Sequence, residues 1–130
     1  MMRRGDTPKN ERLYARACDI LDGRANGHAL PILRALAARD YPWAMNLLSD
    51  HVPEGQALTL LRRAARLGNA ASAYNIAITH RNRGDMAGYR RGLAEAGRVD
   101  PDAADELRGF HQRFPETIMA RHRRLAPDRD

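Results

Sequence analysis

One stretch occurs nearly three times in this chain: Arg39-Asp40…Ala44-Met45-Asn46-Leu47…His51, then Gly68-Asn69…Ala73-Tyr74-Asn75-Ile76…His80, then Val99-Asp100…Ala104-Asp105-Glu106-Leu107…His111. The copies are spaced 29 and then 31 residues apart. A period in that range marks stacked helix pairs, each of which buries its apolar face only against its neighbours. Such an array is a holding surface and not in itself a reactive site. The 130 residues suit one domain, and their 43% apolar content is rich in alanine with only 5% aromatic residues. That balance favours close helix-on-helix packing over a sheet, so the expected class is all-α.

Local punctuation divides the chain into eight helices in four antiparallel pairs, about 8–39, 40–67, 69–98 and 100–125, with flexible ends at 1–6 and 126–130. Thr7 before Pro8 is an N-cap followed by proline at the first helical position, opening a helix to about Leu21 with Leu13, Ala17, Ile20 and Leu21 on one face. Gly23 stops it, and a second helix runs from after Asn26-Gly27 to about Arg39, with Pro31 in its first turn. Asp40 is expected to cap the third helix, to about His51, and Pro53-Glu54 to open the fourth. Gly68 and Gly84 sit where a helix ends in a left-handed residue, and Asn69 and Asp85 cap the fifth and sixth helices. Asp100-Pro101 opens a seventh helix to about Arg113, and Pro115-Glu116 an eighth that fades near Leu125.

The second helices of the pairs also correspond. Leu33, Leu61 and Leu93 align, as do Leu36, Ala64 and Ala96, with a one-residue difference in the connection before each cap. In the last helix Met119 stands where Ala57 and Tyr89 do, but Arg123 stands where Leu61 and Leu93 would. A polar outer face is what an open solenoid end requires.

The segment Leu61-Arg62-Arg63-Ala64-Ala65-Arg66-Leu67-Gly68-Asn69-Ala70…Tyr74-Asn75-Ile76-Ala77 resembles the Sel1-like repeat, a relative of the tetratricopeptide repeat. Arg83-Gly84-Asp85…Tyr89…Leu93…Ala96 is similar to that family's second helix. In the outer copies Met45 and Asp105 replace Tyr74. The resemblance implies a right-handed superhelix that scaffolds protein complexes without catalytic residues, in a family that includes bacterial adaptors and immunity proteins. The ladder and the resemblance, which is specific over about 57–107, together mark Leu47, His51, Leu61, Ala64, Gly68, Tyr74, Ile76, His80, Gly84, Tyr89, Leu93, Ala96, Leu107 and His111 as structural repeat positions.

His51, His80 and His111 share one position of the ladder, which invites a metal reading. Neighbouring helix axes lie about 8–10 Å apart, and repeat symmetry points such side chains in parallel. Zinc requires nitrogens converging at about 2.0–2.1 Å from one ion. Half-buried rings packed between paired helices are therefore expected. Asp100, Asp102 and Asp105 fit capping and the helix dipole instead of a cation site. Cys18, with no basic cluster beside it in sequence, reads as a small hydrophobe, and Trp43 as a core plug between pairs. No catalytic or phosphate-binding motif occurs, so neither enzyme activity nor a cofactor is expected.

The net charge of +6 and pI near 10.4 favour an acidic protein or peptide. The candidate surface is the face of the first helices: Asn46, Asp50, Asn75, Thr79, Arg108 and Gln112, with Arg81 and Arg83 in the connection. An immunity protein that blocks an effector is an alternative. A nucleic-acid binder is a second, from the charge and the Arg121, Arg123, Arg124 cluster. With one cysteine, no uninterrupted apolar signal segment and no membrane-length run, a cytoplasmic setting is expected. An open solenoid end allows a monomer or a weak homodimer.

Overall fold

A computed structural model describes residues 7 to 114, and every regular element among them is helical. The elements are α1 (Pro8–Leu21), α2 (Ala29–Ala38), α3 (Pro42–Leu48), α4 (Glu54–Arg66), α5 (Ala70–Asn82), α6 (Met86–Ala96) and α7 (Pro101–Arg108). Single turns come after α3 (Ser49–His51) and α7 (Phe110–Arg113). The chain divides into two compact units, up to Ile76 and from Ala77 onward.

In the first unit consecutive helices pack on one another, α1 on α2, α2 on α3 and α3 on α4. Ala17, Ala29, Leu33, Leu36, Tyr41, Ala44, Met45, Leu48 and Ala64 form its buried core. Alanine alternates with Leu, Met and Tyr in this core, letting helix backbones approach closely without loss of side-chain entropy. In the second unit α6 packs on α7, and Tyr89, Phe110 and Phe114 cluster with ring centroids 5.2–5.7 Å apart. An aromatic-poor chain thus gathers both of its phenylalanines in one place.

The helix ends are set by local chemistry. Thr7 accepts a hydrogen bond from the Asn10 N–H at 3.1 Å, Asn69 from Ser72 at 2.8 Å and Asp85 from Gly88 at 2.8 Å, each satisfying an amide that no helical carbonyl can reach. Asp100 caps α7 in the same way through Asp102 N–H. Four corners share one closure: Arg24 N–H donates to Asp19 C=O, Tyr41 N–H to Leu36 C=O, Asn69 N–H to Ala64 C=O, and Asp85 N–H to His80 C=O. In each, the residue before the donor has positive φ, namely Gly23 at 78°, Asp40 at 62°, Gly68 at 95° and Gly84 at 78°. This is the left-handed stop that ends many helices.

Asp40 is therefore not the cap of α3. It occupies the position that glycine takes at the other three corners, which a short polar side chain tolerates, and Tyr41 becomes the N-cap residue with no side-chain bond. The carboxylate turns away and accepts from Arg63 on α4. The first copy of the ladder consequently slides by one residue. The opening residues Pro42, Ala70 and Pro101 are 28 and 31 apart, and the third helical residues Ala44, Ser72 and Ala103 are all fully buried.

The second helices keep their expected correspondence in burial. Ala29, Leu33 and Leu36 of α2, Ala57, Leu61 and Ala64 of α4, and Tyr89, Leu93 and Ala96 of α6 are all buried.

Several expectations fall with the shifted register. His51 matches Thr79, not His80, and it is exposed in the turn after α3 instead of lying between helices. Trp43 matches Ala71 on an outer flank and is 46% exposed, so it plugs nothing. Leu21, at the end of α1, is 40% exposed and outside the core. The seventh helix ends at Arg108 because the chain breaks at Gly109 before its last turn. The His111 side chain, the eighth helix from Pro115, Met119, Arg121 to Arg124 and both expected flexible ends lie outside the described residues.

Candidate interaction surface

The face expected to meet a partner is built differently in the two units. On α3 and α5, Asn75 Nδ2 donates to Asn46 Oδ1 at 2.8 Å. Ser72 Oγ lies 3.1 Å from the same Asn46 oxygen and 2.8 Å from Asn69 Oδ1. A hydroxyl has one proton, so Ser72 serves one oxygen at a time. Asn69 meanwhile accepts from the Ser72 backbone, and the network fastens α3 to the start of α5. Asn46 and Asn75 are half-buried members of that fastening. Leu47, Tyr74 and Ile76 are half-buried beside them, and Asp50 is exposed.

The other candidates lie in the second unit. Thr79 is half-buried, while Arg81, Arg83, Arg108 and Gln112 are exposed. Arg81 sits 5.5 Å from the centroid of the Tyr89 ring, close enough for a cation–π contact. Tyr89 Oη donates to Glu106 at 2.7 Å, and Arg113 donates to the Glu106 carbonyl. Arg108 is paired with Asp105 on its own helix. Burial, then the Glu106 carboxylate, pushes the Tyr89 phenol above its ordinary range. Leu107 is half-buried on α7.

His80 is the one ladder histidine with a partly enclosed ring among the described side chains. Its buried Nδ1 stands 3.2 Å from Asp85 Oδ2. The Asp85 carboxyl lies below the usual carboxylate range, first because it accepts from the Gly88 N–H and then through His80 and Arg91. This acid holds a helix start.

In the first unit Cys18 is half-buried and stands against Tyr14. Burial first, then Cys18, pushes the Tyr14 phenol up to about 12. Among the described residues no group of three His, Cys, Asp or Glu side chains could hold a metal ion. No described helix is long and apolar enough to cross a membrane.

Charge pairing singles out residues beyond those the sequence pattern marked. Arg24 lies near Asp19 and Asp22 at 3.9 and 3.6 Å, Asp40 takes Arg63, and Arg39 donates to Asn10 Oδ1 at 3.2 Å. Among the described residues none pairs with Lys9, Arg12 and Arg16 of α1, Arg34 of α2, Arg62 and Arg66 of α4, or Arg90 and Arg98 in and after α6, all of them exposed, and those of α1 and α4 stand in rows. Their spacing, i, i+3, i+7 and i, i+4, is visible in the sequence as two one-faced basic ridges. The repeat ladder points to the first-helix face instead.

Comparisons with family models, curated proteins and solved structures find no match to this chain.

Proposed function

We propose that this protein is a small, non-enzymatic, helical-repeat interaction module that binds an acidic protein partner. The observation that carries the proposal is the division of labour among polar side chains. Those on the inner corners, Asn46, Asn69, Ser72, Asn75 and Asp85, are spent on capping and on joining helices. Lys9, Arg12 and Arg16 of α1 and Arg62 and Arg66 of α4 stand exposed on helix flanks without intramolecular partners among the described residues. The recurring buried triplets of α2, α4 and α6 support a divergent repeat of the Sel1-like or tetratricopeptide type. Unpaired arginines are well suited to carboxylates, which they meet with two parallel hydrogen bonds.

The test is affinity capture from nuclease-treated and untreated native lysate at low salt. A reproducible set of acidic proteins, unchanged by nuclease and released as salt rises, is the expected result. Capture of nucleic acid alone, or of nothing above a charge-matched control protein, overturns the proposal.

A further inference from the structure

We propose that the ridge of Lys9, Arg12 and Arg16 on α1 is the docking face for one acidic α-helix of the partner. This rests on the acidic-partner reading above and gives it a surface. The three residues are exposed, while Asn10 and Ala17, about 80–160° round the helix from them, turn inward. At about 100° per residue they fall within an arc of about 60°, and they rise along the axis by about 4.5 and then 6 Å.

No acid on the helix neutralises them. Asp19, one turn beyond Arg16, lies 3.9 Å from Arg24, and Glu11 projects about 100° away from Arg12 around the helix.

Spacing selects the partner. A helix that carries a carboxylate once per turn presents charges about 5.4 Å apart, close to the one cation per roughly 5 Å of this ridge. An extended acidic strand offers same-face charges about 6.6 Å apart, which drifts out of step by the third pair. A nucleic-acid duplex carries one charge per about 1.7 Å, three times what the ridge neutralises. The ridge is thus matched in charge density to a protein helix.

The second ridge, Arg62 and Arg66 on α4, supplies an internal control, because reversing it changes net charge by the same amount. The probe is a labelled, alanine-based helical peptide with glutamate once per turn, beside its glutamine version, a single-stranded RNA and a DNA duplex. Anisotropy at low salt is expected to show the glutamate peptide bound and the glutamine peptide not. Arg12→Glu/Arg16→Glu should weaken binding about tenfold or more, and Arg62→Glu/Arg66→Glu less than about threefold, since each exposed pair is individually weak and the ridge acts through several together.

Equal losses in both variants, no loss in the α1 variant, or tighter binding of either nucleic acid than of the glutamate peptide overturns the assignment. Should the reversed α1 variant lose its helical circular dichroism, the charge-neutral Arg12→Gln/Arg16→Gln variant is held to the same comparison. If the native protein binds no acidic peptide at all, the acidic-partner reading itself fails; if binding survives in the α1 variant, only this surface does.

Discussion

Gly92 lies in the interior of α6, where alanine would ordinarily stabilise the helix by about 1 kcal/mol. Here a Cβ would stand 2.7 Å from both Cα and Cβ of Ala77 on α5 and 3.1 Å from its amide nitrogen. Carbon atoms rest at about 3.5–4.0 Å, so the overlap is about 0.8–1.3 Å, and it is against backbone that no rotamer change can move. Overpacking of this kind costs about 1–3 kcal/mol, and a rigid neighbour puts the cost in the upper half of that range. Set against the propensity gain, Gly92→Ala should destabilise by about 1–2 kcal/mol, a drop of roughly 4–8 °C in melting temperature at about 4 °C per kcal/mol. Gly55, near the start of α4, has nothing within 4 Å of the same atom, and Gly55→Ala should raise stability by about 0.5 kcal/mol. Thermal and urea melts of the two variants therefore shift in opposite directions. Ala77→Gly in the Gly92→Ala background should recover only part of the loss, because the Ala77 Cα remains in the way. A Gly92→Ala protein as stable as the native one would show that α5 and α6 do not meet at this point.

The corners and caps give three further expected outcomes. Asp40→Ala keeps an unfavourable left-handed residue and loses the Arg63 pair, and should cost about 1–2 kcal/mol; Asp40→Gly relieves the backbone and should cost less, so equal urea midpoints for the two would refute the left-handed assignment. Asn69→Ala removes the cap of α5 and an acceptor for buried Ser72, for an expected loss of about 1–3 kcal/mol by chemical denaturation; a loss below about 0.5 kcal/mol would mean that the cap is not formed. The Asp85 carboxyl has a lowered pKa in the fold, so the stability it supplies is present above the unfolded value of about 3.9 and disappears as pH falls through the lower folded value. Asp85→Asn should flatten the acid limb of a stability–pH curve below about pH 4 while neutral-pH stability changes little, and an unchanged acid limb would remove Asp85 as its source.

Much of the fold is written locally. Thr7-Pro8, Gly68-Asn69, Gly84-Asp85 and Asp100-Pro101 announce helix boundaries because caps and left-handed stops act within a few residues, and all four stand where the spacing put them. Asp40-Tyr41-Pro42 misleads because aspartate suits both the cap and the left-handed position, and only the fold decides between them. That single residue moves the first copy by one step, which is enough to separate His51 from His80 and to send Trp43 outward. Identity down a ladder of letters says nothing of which flank of the helix each letter occupies. The Asn46–Asn75 bond and the Glu106–Tyr89 bond were likewise unreadable, since each depends on how far one helix is rotated against the next. The basic ridge of α1 is readable from helical spacing alone, but its lack of a partner among the described residues depends on where the fold brings the acids.

The Asp40 corner differs from the Gly84 corner in one way that bears on opening. Both turn the chain through the same backbone closure, but a glycine has no side chain with which to grip a third helix, whereas Asp40 is moored to Arg63. The residue at a left-handed position thereby gives one seam a tether that the other lacks. Amide hydrogens around Gly84 should exchange sooner than those around Asp40, so that α5 and α6 separate while α2, α3 and α4 are still clasped.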